Sequence, residues 1–286
     1  MGLPTIRSLS GAYLSSLVIA VGLVVASAAG LAGDPYGTSA LVLVSRGADA
    51  ANLVLVLPIL LGTMWLARRG SLIGLLLWPG ALFYVLYAYV PYVVGAPFTA
   101  LFFVHVGLVT LSAFTIIGIL ASIDAADVRQ RLARAPARSV GGALVAIALL
   151  AYAGLIGVAI SGLGDPTTEA PTRPLAVADW VVGTPVLVVG GLLLWGRAAL
   201  GYVVAPGLLL VSGLGGVAFA IAAVVDNVLG SPQTEPAVIA IHLVIATVSI
   251  GLLAYFVRGA IRQQAVVPPA PTSVPLHRPP MPAGRS

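Results

Sequence analysis

The chain has 286 residues, of which 59% are hydrophobic and only 8% charged, with a net charge of +5 and a mean hydropathy of +1.08, whereas an ordinary soluble domain carries roughly a quarter charged residues. Water cannot be the main solvent of such a chain, and the absence of cysteine excludes disulfides, thiolate metal sites, iron–sulfur ligation and thiol nucleophiles. All 14 basic side chains are arginine, which excludes Schiff-base chemistry through a lysine amine; no aromatic-interleaved basic patch points to nucleic acid, and a basic excess in so apolar a chain belongs to topology.

Hydrophobic runs of spanning length predict eight transmembrane helices, at about 10–31, 52–67, 72–94, 98–122, 140–163, 177–195, 200–225 and 237–257. With the amino terminus inside, Arg7, Arg68, Arg69, Arg129, Arg131, Arg134, Arg138, Arg197, Arg258, Arg262, Arg278 and Arg285 fall in the cytoplasm and only Arg46 and Arg173 outside. This positive-inside separation predicts both termini in the cytoplasm of a prokaryotic plasma membrane, and an odd number of spans spoils it. A carboxy-terminal reporter is therefore expected to be active only where it functions in the cytoplasm; activity of one that works only outside contradicts the orientation.

The predicted fold class is all-α, a polytopic bundle of two tandem parallel four-helix repeats. The first unit covers 1–123, a cytoplasmic linker 124–139, the second unit 140–262, and a disordered proline-rich cytoplasmic tail 263–286. Acid and arginine alternate in the linker, which reads as a short amphipathic interfacial helix. The repeat rests on register. Gly11-Ala12 opens and Gly33-Asp34-Pro35 closes the first span, as Gly142-Ala143 and Gly164-Asp165-Pro166 do the fifth. After a length change in an outer loop, Arg46, Asn52, Pro58, Gly74 and Pro79-Gly80 align with Arg173, Asp179, Pro185, Gly201 and Pro206-Gly207. A second change brings His105, Thr110 and Ser112 into line with His242, Thr247 and Ser249. Four crossings per unit give both copies one orientation, so residues 10–122 are expected to superpose on 140–258 by about 180° around the membrane normal. The first span, although Ala26-Ser27-Ala28 resembles a signal-peptidase site, is expected to be retained because the fifth is its copy.

Polar groups inside a bilayer are costly unless paired and are the first place to look for function. Asn52 and Asp179, beside Arg46 and Arg173 and with Asp49 nearby, read either as a charged outer vestibule or as helix caps satisfied locally. His105 and His242 read either as ligands or proton relays or, with no second ligand at helical spacing beside them, as interhelical hydrogen-bonding groups. Tyr84 and Tyr87 share a face of the third span with Pro91, and either line an aromatic cavity or belong to packing, while Tyr92 fits the interfacial belt. Tandem four-helix halves with paired histidines are similar in outline to haem A synthase, whose halves each supply more histidine ligands than occur here, so that family is not assigned. No nucleotide-binding loop, metal-protease spacing or nucleophile elbow occurs.

The functional expectation is a transporter or small-solute-binding membrane protein, with a site between the repeats opening outward toward Arg46, Asp49, Arg173 and Asp179. Its partners are the lipid bilayer and a small-molecule solute. The cofactor is unknown. The alternatives are a redox or biosynthetic enzyme binding haem, quinone or isoprenoid, and a non-catalytic assembly or sensor subunit whose proline-rich tail binds a protein partner.

Overall fold

The computed structural model describes residues 3–33, 41–164, 173–229 and 234–266. Among them are eight helices long and apolar enough to cross a membrane: α1 (Ser10–Ala32), α2 (Arg46–Arg68), α3 (Leu72–Gly95), α4 (Ala100–Ser122), α5 (Ala137–Ser161), α6 (Arg173–Trp195), α7 (Ala199–Val228) and α8 (Pro236–Gly259). The chain is an all-α bundle with the make-up of a multi-pass membrane protein. Outward faces carry exposed apolar side chains such as Leu14, Phe103, Phe114, Ile156, Val189 and Val224. Stripes of this kind suit lipid, which has no reason to drive them inward. Asp34-Pro35, Asp165-Pro166 and most of the proline-rich tail lie outside the described residues, and the last helix runs on through Val266.

Helix α2 begins earlier than hydropathy alone places it: it is helical from Leu41, so Arg46 and Asp49 lie within a helix rather than in the preceding loop. The same holds for α6, which starts at Arg173. Each of these helices contains one wide π-helical turn, Asn52–Val56 in α2 and Asp179–Gly183 in α6, where the Leu57 and Thr184 amides donate to the Asn52 and Asp179 carbonyls five residues back. Proline explains the location. Pro58 and Pro185 stand six residues after Asn52 and Asp179, and a proline has no N–H to give and clashes with the carbonyl four residues before it. An extra residue in the turn relieves that clash and turns the preceding side chains to a new direction.

Within residues 3–122 the four helices close on one another: α1 packs on α2 and α4, and α3 on α2 and α4. Thr115 donates to Ser15 at 2.9 Å and Trp78 Nε1 to Ser16 at 3.1 Å. In the second set, α5 packs on α6, α6 on α7 and α7 on α8, but α5 and α8 scarcely touch. Aligned with Ser15 and Thr115 are Ala146 and Leu252, which carry no hydrogen-bonding group, so nothing polar ties α5 to α8 there.

The two sets meet mainly along α3–α7 and α2–α7. At the α3–α7 crossing Gly80 lies against Gly207, and a Cβ on Gly207 stands 3.1 Å from Gly80 Cα. These two glycines hold aligned positions in the sequence. In the hairpins, Gly74 rests on the backbone of Ala67 and Gly201 on that of Leu194. The preceding turns place Gly70 (φ 83) and Arg197 (φ 55), again aligned, in the left-handed region. Glycine adopts it without cost and arginine at roughly 1–2 kcal/mol.

Where α1 begins and α4 ends, the chain's start is pinned to the end of α4: Ile6 N–H donates to the Ser122 carbonyl and Asp124 N–H to that of Pro4. Residues 3–6 and the linker therefore share one side. The linker forms a short helix, Ala125–Arg131, capped by Asp124 through the Ala126 and Asp127 amides, with Arg131 paired to Asp127 at 2.7 Å. Val128 is buried in the helix, and Leu132, Ala135 and Ala137 are buried after it.

Candidate functional site: a cavity between the halves

A cavity of about 290 Å³ lies between α3 on one side and α5, α6, α7 and α8 on the other. Its lining is mostly aromatic and aliphatic, with Phe83, Tyr84, Tyr87, Tyr92 and Phe219 as the rings and Asp179, His242, Ser212 and Thr184 as the polar side chains. The register shows that the two halves are filled differently here. In the first half, Tyr89 of α3 fills the corresponding place: its hydroxyl accepts from Asn52 Nδ2 at 3.3 Å and lies 3.2 Å from Ser27 Oγ, which also accepts from Asn52 at 3.4 Å. In the second half Tyr89 aligns with Gly216, Ser27 with Val158 and Asn52 with Asp179. A tyrosine is replaced by a glycine and the network has no counterpart; α8 closes on that glycine, where a Cβ falls on the His242 carbonyl, and the cavity lies beside this contact.

Asp179 finds its partner across the interface instead. Tyr87 of α3 donates to Asp179 Oδ1 at 2.6 Å, the length of a hydrogen bond to a charged acceptor. Gly183 makes the approach feasible, since a Cβ there stands 3.1 Å from the Tyr87 ring. His242 of α8 stacks on Phe219 of α7 with centroids 3.8 Å apart and planes 14° apart, near enough to Asp179 to interact electrostatically. Its Nδ1 sits 2.8 Å from the Val238 carbonyl. A carbonyl only accepts, so Nδ1 carries the proton in this pair and Nε2 is the nitrogen suited to engage a ligand.

Of the residues singled out in the sequence, Tyr84, Tyr87, Pro91, Asp179 and His242 line this cavity, as does Tyr92, which is buried there rather than set in an interfacial belt, and Arg46, Asp49, Asn52, His105 and Arg173 do not. Asn52 is buried in the first-half network. Asp49 is 2% exposed, beside Ser27 and Gly30, and its Oδ2 has no hydrogen-bond partner among the described residues. Neither Asn52 nor Asp179 caps a helix start, because both sit in π-turns inside longer helices. Arg46 donates to the Gly33 carbonyl at 3.4 Å, and Arg173 is exposed at the start of α6. His105 is fully buried, with its ring centroid 4.9 Å from Tyr92 and 5.3 Å from Tyr89. Tyr92–His105 and Phe219–His242 are thus aromatic–histidine pairs at aligned positions. Ser112 and Ser249 are buried as well, whereas Thr110 and Thr247 are exposed.

Several contributors were not singled out by sequence. Gly183 and Phe219, and the network role of Ser27, carry a signal only once the two halves are aligned and the helix rotations are known. Asp226, which accepts from the Gly47 amide at 2.9 Å and ties the end of α7 to α2, follows the predicted end of its span and carries none. Among the described residues no group of three or more histidine, aspartate or glutamate side chains gathers to hold a metal ion. In comparison with known proteins, no family model, no curated protein and no solved structure matches the chain.

Proposed function

We propose that this protein binds a small, predominantly apolar molecule in the cavity between two duplicated four-helix halves, as a solute-binding or transport protein of the membrane. The observation that carries the reading is the asymmetry at one aligned position. Tyr89 fills the first half with a polar network, while the second half has Gly216 there, packed on the α8 backbone, and the cavity lies beside it around Asp179, Tyr87 and His242. A mostly apolar hollow with a few convergent polar groups is the usual form of a small-molecule site. The arginine distribution puts this end of the bundle at the outer face.

The aligned π-turns, the aligned left-handed turns and the Gly80–Gly207 contact support the duplication and an axis along the membrane normal. That crossing is backbone on backbone. So close an approach of the two glycines suits a pivot about which halves reorient around a central site, as parallel-repeat transporters do.

The test is thermal unfolding of the chain in lipid nanodiscs, followed by tryptophan fluorescence, against a panel of small amphipathic compounds. A ligand at 100 times its Kd stabilises by about 2.7 kcal/mol, so at least one compound is expected to raise the Tm. Gly215 lines the cavity, and a Cβ there meets nothing within 4 Å. Gly215→Phe is therefore expected to fill the space and abolish every such shift while leaving the unliganded Tm unchanged or higher, glycine being about 1 kcal/mol worse than other residues within a helix. Shifts that persist in Gly215→Phe contradict the site.

A further inference from the structure

We infer that the ligand of this cavity is an organic cation, a positively charged nitrogen group carried on an apolar body. The inference rests on the proposed site and adds its chemistry. Asp179 is the one Asp, Glu or Arg side chain among the lining residues, and the sequence has no lysine. The Tyr87 hydroxyl, which donates to it at 2.6 Å, shares the charge without cancelling it. A carboxylate facing an apolar hollow at membrane depth is costly until a cation pairs with it.

The walls point the same way. Tyr84, Tyr87, Tyr92 and Phe219 surround the hollow with aromatic side chains, whose ring faces attract cations and repel anions. An anionic ligand meets both the carboxylate and the ring faces; a neutral one leaves the carboxylate without a counter-charge. His242, its Nδ1 held by the Val238 carbonyl, keeps Nε2 as an acceptor for an N–H group of the ligand. Acid, acceptor and aromatic walls together form the recognition set for an ammonium.

The experiment compares two probes of one shape, benzyltrimethylammonium and its uncharged isostere neopentylbenzene, by calorimetric titration into nanodiscs with protein-free nanodiscs subtracted. The wild-type chain is expected to bind the cation at least about tenfold more tightly than the isostere. Asp179→Asn is expected to weaken the cation about 10- to 100-fold without changing the isostere, Asp179→Glu to restore the preference, and Phe219→Leu to weaken the cation alone by several-fold. The Phe219 variant keeps the inference testable if Asp179→Asn does not fold. Failure of the cation to bind the wild-type chain, equal affinity for both probes, or indifference to Asp179→Asn and Phe219→Leu overturns the inference. Binding of neutral compounds that Gly215→Phe still blocks leaves the site standing without its preference for charge; cation binding unaltered in Gly215→Phe removes the site as well.

Discussion

Replacing Gly80 by leucine is expected to destabilise the protein by about 3 kcal/mol, at the upper end of overpacking costs. A Cβ at this position falls on the Cα and carbonyl of Gly207, so the obstacle is backbone, which cannot rotate away as a side chain does. Relief requires α3 and α7 to separate, and with them the contact on which both halves converge. The loss is expected as a lowered Tm and a reduced folded yield in nanodiscs. Gly118→Leu serves as the control: nothing lies within 4 Å of a Cβ there, and its effect is expected to stay within about 0.5 kcal/mol. Equal tolerance of the two substitutions contradicts the crossing.

Tyr89→Ala is expected to cost about 3–5 kcal/mol, the range for removing a fully buried aromatic ring. Tyr89 is 1% exposed. Truncation empties the space it shares with His105 and Tyr92 and removes a hydrogen-bond acceptor from Asn52. The hydroxyl and the ring separate by substitution: Tyr89→Phe keeps the packing, disturbs only the polar network, and is expected to cost about 1–3 kcal/mol. The alanine variant also gives the first half the small residue that Gly216 supplies in the second, and a hollow lined in part by Asn52 and His105 is expected in its structure. A Tm indifferent to both changes denies the buried network its role.

The eight helices were legible because lipid imposes a simple rule: every spanning segment must satisfy its backbone internally and show about twenty apolar residues. The starts of α2 and α6 were not, since Arg46, Asp49 and Arg173 interrupt hydropathy without interrupting the helix. The π-turns escape any fixed period, as one inserted residue resets the phase, although Pro58 and Pro185 at equal distance from Asn52 and Asp179 marked where they fall. Aligning the histidines correctly grouped each with a buried serine, but their ring partners Tyr92 and Phe219 come from neighbouring helices, whose rotation only packing decides. The richness of α3 in tyrosine against the small residues of α7 was plain in the sequence; that Tyr89 fills one half with its ring while α8 closes on Gly216 in the other needed the helices in place. Of the candidate site residues, the fold brings Tyr84, Tyr87, Asp179 and His242 to the cavity, buries Asp49, Asn52 and His105 in the first half, and leaves Arg46 and Arg173 toward the starts of α2 and α6.

The most direct test of the site is an experimental density map of the full chain in nanodiscs, determined without added compound and again with the tightest binder from the thermal screen. The expected result is ligand density between the Tyr87–Asp179 hydrogen bond and the Phe219–His242 stack, with Gly80 against Gly207 in both maps. Ligand density confined to the lipid belt, or a cavity filled by the protein's own side chains while the compound is bound, contradicts the account.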